Sequence, residues 1–247
     1  MIDSLGFRKK FGVVAPSTNT TVQPEFDAMR PRGVTNHFGR IHIPNHPVRN
    51  DEDFNRMMDN IRGAMMEAID RVMTCEPDYL IMGMSSETFW DGLEGSVRLR
   101  ERVQARAGVK VAMGSDSCQA ALKCYGARRL GVITPYMPVG DAQVRRFLTD
   151  CGFTVVRLKG FCCSGPVAIA HVTQAQLRDA IVAVNGPDVD AILQVGTNLA
   201  MARLAGLAEF WLDKPVLAIN TATYWWALRQ NGIADKVEGF GSLLLEH

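Results

Sequence analysis

The chain has 247 residues with 27 Lys plus Arg against 26 Asp plus Glu, so its net charge is +1. That balance leaves no basic footprint for nucleic acid and no polybasic patch for a membrane surface. Apolar residues make up 47% and charged residues 21%, the composition of a chain that buries a core, which sets aside disorder and disulfide scaffolds. The most apolar stretch, 191–212, is broken by Gln194, Asn198, Arg203 and Glu209 and does not read as a membrane span. The first ten residues place their charges after a few apolar ones, with no apolar signal core. Six cysteines (75, 118, 124, 151, 162 and 163) form no C-x-x-C, and no histidine stands beside them at ligand spacing. Reduced thiols in a cytoplasm, and no zinc, are the expectation. The closing Leu245-Glu246-His247 reads as a tag remnant.

Taken in chain order, short apolar runs ending in small polar residues recur. They are Phe11-Gly-Val-Val-Ala-Pro16, Tyr79-Leu-Ile-Met-Gly83, Val109-Lys-Val-Ala-Met113, Leu130-Gly-Val-Ile-Thr-Pro135, Ala191-Ile-Leu-Gln-Val195 and Val216-Leu-Ala-Ile219. Between the first two, 51–73 carries Phe54, Met57, Met58, Ile61, Met65 and Ile69 at helical spacing, and 174–184 reads the same way. The methionines at 57, 58, 65, 66 and 73 read as packing, with a subunit contact as a second use. Alternating strands and helices predict parallel sheets covered on both faces.

The runs repeat. Gly12-Val-Val-Ala-Pro16 returns as Gly131-Val-Ile-Thr-Pro135, Gly33-Val-Thr as Gly152-Phe-Thr, and Met82-Gly-Met-Ser85 as Gln194-Val-Gly-Thr197. Ser115-x-Ser117 with Ala121-Leu122-Lys123 returns as Thr221-x-Thr223 with Ala227-Leu228-Arg229. Landmarks in one order predict two similar lobes. Ligands of open parallel sheets sit at the carboxyl ends of strands, so two facing lobes share one cleft. The residues past those ends are Ser17-Thr-Asn-Thr-Thr21, Ser85-Ser-Glu-Thr88, Ser115-Asp-Ser117, Tyr136, Thr197-Asn198 and Asn220-Thr-Ala-Thr223. These hydroxyls and amides suit a small carboxylate, although the same residue types also serve as helix caps. Neither a P-loop nor a G-x-G-x-x-G is present, which argues against a nucleotide. No G-x-S-x-G context supports a hydrolase triad.

Ala15-Pro-Ser-Thr-Asn-Thr-Thr21, Val132-Ile-Thr-Pro-Tyr136 and Gly196-Thr-Asn-Leu199 resemble the maleate cis–trans isomerase and arylmalonate decarboxylase family of the aspartate/glutamate racemase superfamily. Lys214–Asn220 and Ala222–Leu228 fit as well, so the resemblance runs over nearly the whole chain with order and spacing kept. It implies a two-lobed enzyme that handles small carboxylic acids without a cofactor. It also implies that Asn19 holds a substrate carboxylate, and that Ser85, Ser86 and Tyr136 bind a second carboxylate or a developing enediolate. The family's two thiol positions are occupied here by Met84 and Gly196, and neither residue can transfer a proton or add to a double bond. Three replacements are open. Glu87, flanked by Phe89 and Trp90, could serve as an acid with a raised pKa. Cys163 could overhang the cleft from the loop after the second strand of lobe two, with Cys118 a weaker version of the same idea; His42, near His46, could act as a base. Alternatively the fold keeps only an electron-sink cradle, which suffices for decarboxylation.

The expectation is thus an α/β protein of two similar lobes, each a parallel sheet flanked by helices, related by a pseudo-two-fold with the site between them. Residues 1–117 form the first lobe, 118–220 the second, and 221–247 cross back to the first. Tyr136, Ser85, Ser86, Glu87 and Cys163 are the candidate catalytic residues. Asn19, Ser17, Met84, Gly196, Thr197 and Asn198 are the candidate substrate-binding residues. The expected partner is a small mono- or dicarboxylate, with no metal, organic cofactor, nucleic acid or membrane, and with a homodimer or homotetramer permitted. The alternative is a non-catalytic carboxylate binder.

Overall fold

Eight strands, among the residues described (3–247) in a computed structural model, form two separate parallel sheets of identical order. The first contains β1 (Lys9–Pro16), β2 (Val34–Ile41), β3 (Tyr79–Met82) and β4 (Val111–Ala112) in the order β2-β1-β3-β4. The second contains β5 (Arg129–Thr134), β6 (Thr154–Gly160), β7 (Ala191–Gln194) and β8 (Val216–Ala218) in the order β6-β5-β7-β8. The sequence repeat is therefore a repeat of fold. The central strands β1, β3, β5 and β7 are the apolar runs, because both faces of a parallel sheet are covered. The edge strands β2 and β6 carry half-buried polar residues and show no such run, so apolar patterning alone does not delimit them.

The helix α2 (Asp51–Met73) has the bounds its stripe predicts. Asn50 caps it by accepting the Asp53 N–H at 2.9 Å, and Phe54, Met58, Ile61 and Met65 are buried. The helix α6 (Gln174–Val184) likewise matches, and opens with a capping box of Thr173 and Gln176. It lies so close to β5 that a Cβ on Gly131 would meet the Val184 carbonyl oxygen at 2.6 Å.

After β8, the helix α8 (Ile219–Gln230) packs on elements of the first sheet. The Tyr224 ring stands 5.9 Å from Phe11 and 5.0 Å from Phe26, and its hydroxyl donates to Asn36 Oδ1 at 3.1 Å. The short α9 (Ser242–Glu246) buries Leu243 and Leu244 and leaves Leu245 and Glu246 exposed. Its first residue is held by Glu209, whose carboxylate accepts the Ser242 N–H at 2.7 Å.

Candidate functional site

The turns after β1, β3, β5 and β7 meet between the lobes. After β1 the chain bends at Asn19, whose Oδ1 accepts the Thr21 and Val22 N–H groups, both at 2.9 Å, and so starts the helix α1 (Val22–Ala28). Its Nδ2 donates across the cleft to Thr197 Oγ1 at 3.0 Å. Thr197 Oγ1 in turn donates to the Gly83 carbonyl at 3.2 Å, and the Thr197 N–H donates to Ser85 Oγ, also at 3.2 Å. Ser85 Oγ lies 2.6 Å from the Tyr136 hydroxyl. Asn198 accepts the Thr20 and Thr21 N–H groups at 3.0 and 3.2 Å and donates to the Pro166 carbonyl at 3.0 Å. Asn19, Ser85, Tyr136, Thr197 and Asn198 are each 3–5% exposed, so these hydrogen bonds are shielded from water.

This polar wall, joined by Ser86, Met84 and Gly196, faces a cavity of about 430 Å³ including its open mouth. Its apolar lining includes Ile43, Met57, Ile61, Pro166 and Ile169. Among the described residues lining the cavity there is no Asp, Glu, His, Cys, Lys or Arg. Tyr136 is the one ionisable group there, and burial pushes its phenol well above the ordinary value, so it stays protonated at neutral pH. Gly196 has φ +111°, and a Cβ on it would meet Pro135 Cδ at 2.5 Å. A cysteine at that position requires the backbone or Pro135 to move.

Three expected site residues lie elsewhere. Ser17 exchanges hydrogen bonds with the Ile43 backbone, at 3.0 Å as acceptor and 3.4 Å as donor, and thereby ties the ends of β1 and β2 together. Glu87 sits in the 3-10 turn Ser86–Phe89, where both carboxylate oxygens accept from Arg62 Nε at 3.0 Å. It lines a different depression, with Trp90, Arg98 and Arg102, because a tight turn sends successive side chains in different directions. Burial raises its pKa and the Arg62 guanidinium opposes the rise. Cys163 is absent from the cavity lining; its N–H donates to the Pro135 carbonyl at 3.0 Å, and burial pushes its thiol up to about 11, away from a reactive thiolate.

The other replacements also fall outside. Cys118 is buried in the core on the helix α4 (Gly114–Cys124), with its pKa raised by desolvation. His42 and His46 are exposed and do not line the cavity. The turns after β4 and β8 do not reach the cleft, since both strands are sheet edges; Ser115 instead pairs with Ser96 at 2.7 Å. The apolar lining was not anticipated. Its signal is the pair Met57 and Ile61, one helical turn apart on the stripe of α2. Among the described residues, no three His, Cys, Asp or Glu side chains converge to hold a metal ion, and no helix is long and apolar enough to cross a membrane.

Two α/β lobes of equal topology, closing hydroxyls and amides over one cleft, define a pseudo-symmetric two-lobed fold with its site between the halves. A family profile described as arylmalonate decarboxylase matches residues 48–244. The chain belongs to that family, one of enzymes. A maleate isomerase of Pseudomonas putida is 23% identical over 251 residues, covering 95% of this chain and 96% of its own. An arylmalonate decarboxylase of Bordetella bronchiseptica is 26% identical over 169 residues, covering 67% and 70%. Among solved structures, a cysteine-to-serine mutant of the Nocardia farcinica maleate cis–trans isomerase, with a covalently bound succinylcysteine intermediate, superimposes with a TM-score of 0.88. It is 20% identical, and the match covers 97% of this chain and 99% of that one.

Proposed function

We propose that this protein acts on a small dicarboxylic acid through an enediolate-type intermediate, without an organic cofactor, and that the reaction is a decarboxylation. The observation that carries this reading is the composition of the cavity: neutral hydroxyl and amide donors together with apolar side chains, and no side chain that titrates near neutral pH among the described residues lining it. Isomerisation of a double bond by thiol addition needs a thiol, and none of the described residues lining the cleft carries one. Loss of carbon dioxide needs only an electron sink and a proton. The bond from the α-carbon to one carboxylate breaks, and its electron pair passes into the remaining carboxyl group as an enediolate. The Tyr136 and Ser85 hydroxyls and the Asn19 amide stabilise that charge as it forms, being already held in a water-poor site. The α-carbon then takes a proton from Tyr136, which recovers it from water. The apolar lining suits a substrate whose α-carbon bears an apolar group. Six free cysteines fit a reducing cytoplasm.

The test is proton NMR in deuterated water with substituted malonates and with maleate. Loss of a carboxylate with deuterium at the α-carbon supports decarboxylation, and conversion of maleate to fumarate replaces it with isomerisation. A thermal shift with these acids but no turnover makes the protein a carboxylate binder on an enzyme fold, a reading favoured by the missing thiols. No shift with any of them ends the cradle hypothesis. The expected homodimer or homotetramer is tested separately by sedimentation.

A further inference from the structure

Glu25 lies on α1 and makes no contact with the cavity, yet it is a part-buried carboxylate with no ion-pair partner among the described residues. Both of its oxygens are used on the other lobe. Oε1 accepts the N–H of Ala202, the first residue of the helix α7 (Ala202–Leu212), at 3.0 Å. Oε2 accepts from Asn220 Nδ2 at 2.6 Å. The same Nδ2 donates to the Thr197 carbonyl at 3.0 Å, and Asn220 is 1% exposed. Thr197 follows Gly196, whose positive φ marks a turn with little steric definition of its own, and it bonds directly to Asn19 and Ser85. A ring therefore closes across the lobes: from Asn19 to Thr197, to Asn220, to Glu25, and back through α1, which Asn19 caps.

We propose that Glu25 is a positioning residue that, by holding Asn220, fixes the Thr197 turn at the separation from Asn19 and Ser85 that anion binding in the cleft requires. The inference rests on the cleft being the anion site. Burial pushes the Glu25 carboxyl up to about 7, so this is an unfavourable place for a carboxylate that serves no purpose. No glutamine can replace it fully. Asn220 Nδ2 and the Ala202 N–H donate to separate oxygens, with the Met201 N–H also facing the group, and an amide offers one acceptor and one donor, so Glu25→Gln keeps the volume and loses at least one link.

The experiment measures phenylmalonate, malonate and maleate binding by calorimetry to wild type, Glu25→Gln, Asn220→Ala and the double variant. Glu209→Gln is the control, because Glu209 also accepts two backbone N–H groups (Ser242 and Val216) but lies away from the cleft. Glu25→Gln and Asn220→Ala should each weaken binding at least about tenfold, the loss of one well-placed hydrogen bond. The double variant should bind no worse than Asn220→Ala, since residues acting through one link are not additive. The control should lose comparable thermal stability and keep its affinity. Unchanged affinity in Glu25→Gln, or additive losses in the double variant, overturns the proposal. If Glu25→Gln does not fold, an Asn220→Ala affinity equal to wild type overturns it as well. If wild type binds none of the three acids, the anion site itself has failed. Glu25 is then judged on the amide spectrum of the free protein, where a displaced Thr197 signal in Glu25→Gln supports the link and an unmoved one refutes it.

Discussion

Replacing Tyr136 by Phe separates the chemistry of the cleft from its architecture. The Tyr136 ring is 4% exposed and stands edge-on to Phe54 at 5.5 Å, and both features survive the substitution. What disappears is one hydroxyl, 2.6 Å from Ser85 Oγ. Ser85 is not orphaned, because the Thr197 N–H still donates to it at 3.2 Å. The stability cost is therefore that of one neutral hydrogen bond, about 1 kcal/mol. In a chain of this size that lowers the melting temperature by roughly 2–4 °C. The same hydroxyl is both a donor to the developing enediolate and the proposed proton source. Losing one such preorganised donor costs about 3–4 kcal/mol in the transition state, a fall in kcat of some 10²–10³-fold. The assay is carbon dioxide release from the best substituted malonate, read beside calorimetric melting of both proteins. A variant that melts a few degrees lower but turns over within about threefold of wild type refutes the role given to Tyr136, since such a change is under 1 kcal/mol.

Other expectations follow from the same geometry. Burial raises Glu25 to about 7 and Asp141 to about 6, from 4.5 and 3.8, so the native state binds more protons than the unfolded chain between those values. Stability should fall as pH rises from about 5 to 8, by up to about 3 kcal/mol through Glu25. Urea unfolding at the two ends of that range checks this, and equal or greater stability at pH 8 contradicts it. Glu87→Gln should leave turnover unchanged while costing about 1–3 kcal/mol of stability, because it weakens the buried acceptor of Arg62. Cys163→Ala should also keep full turnover, and iodoacetamide should not inactivate the enzyme; inactivation prevented by Cys163→Ala returns that thiol to the mechanism. Gly196→Ala should lose at least about 1–3 kcal/mol, given its positive φ and the 2.5 Å approach of a Cβ to Pro135, and wild-type melting would show that the turn relaxes freely.

Much of this protein is written in local pattern. Fully covered central strands demand unbroken apolar runs, and long amphipathic helices demand a stripe. The two-lobed repeat, the four central strands and the bounds of α2 and α6 are therefore visible before any coordinates. The same logic brings Asn19, Ser85, Ser86, Tyr136, Thr197 and Asn198 to one cleft, because residues past central strands of facing sheets have nowhere else to converge. Tertiary structure alone decided which way the turn residues point. Ser86 lines the cavity while Glu87 turns to Arg62, and Ser17 folds onto Ile43 two residues before Asn19 crosses to Thr197. Adjacent residues of an irregular turn share no period, so spacing cannot assign them to a face. The apolar lining from α2 and the Glu25–Asn220 link are hidden for a related reason: each joins elements far apart in the chain, and only the packed lobes bring them within reach.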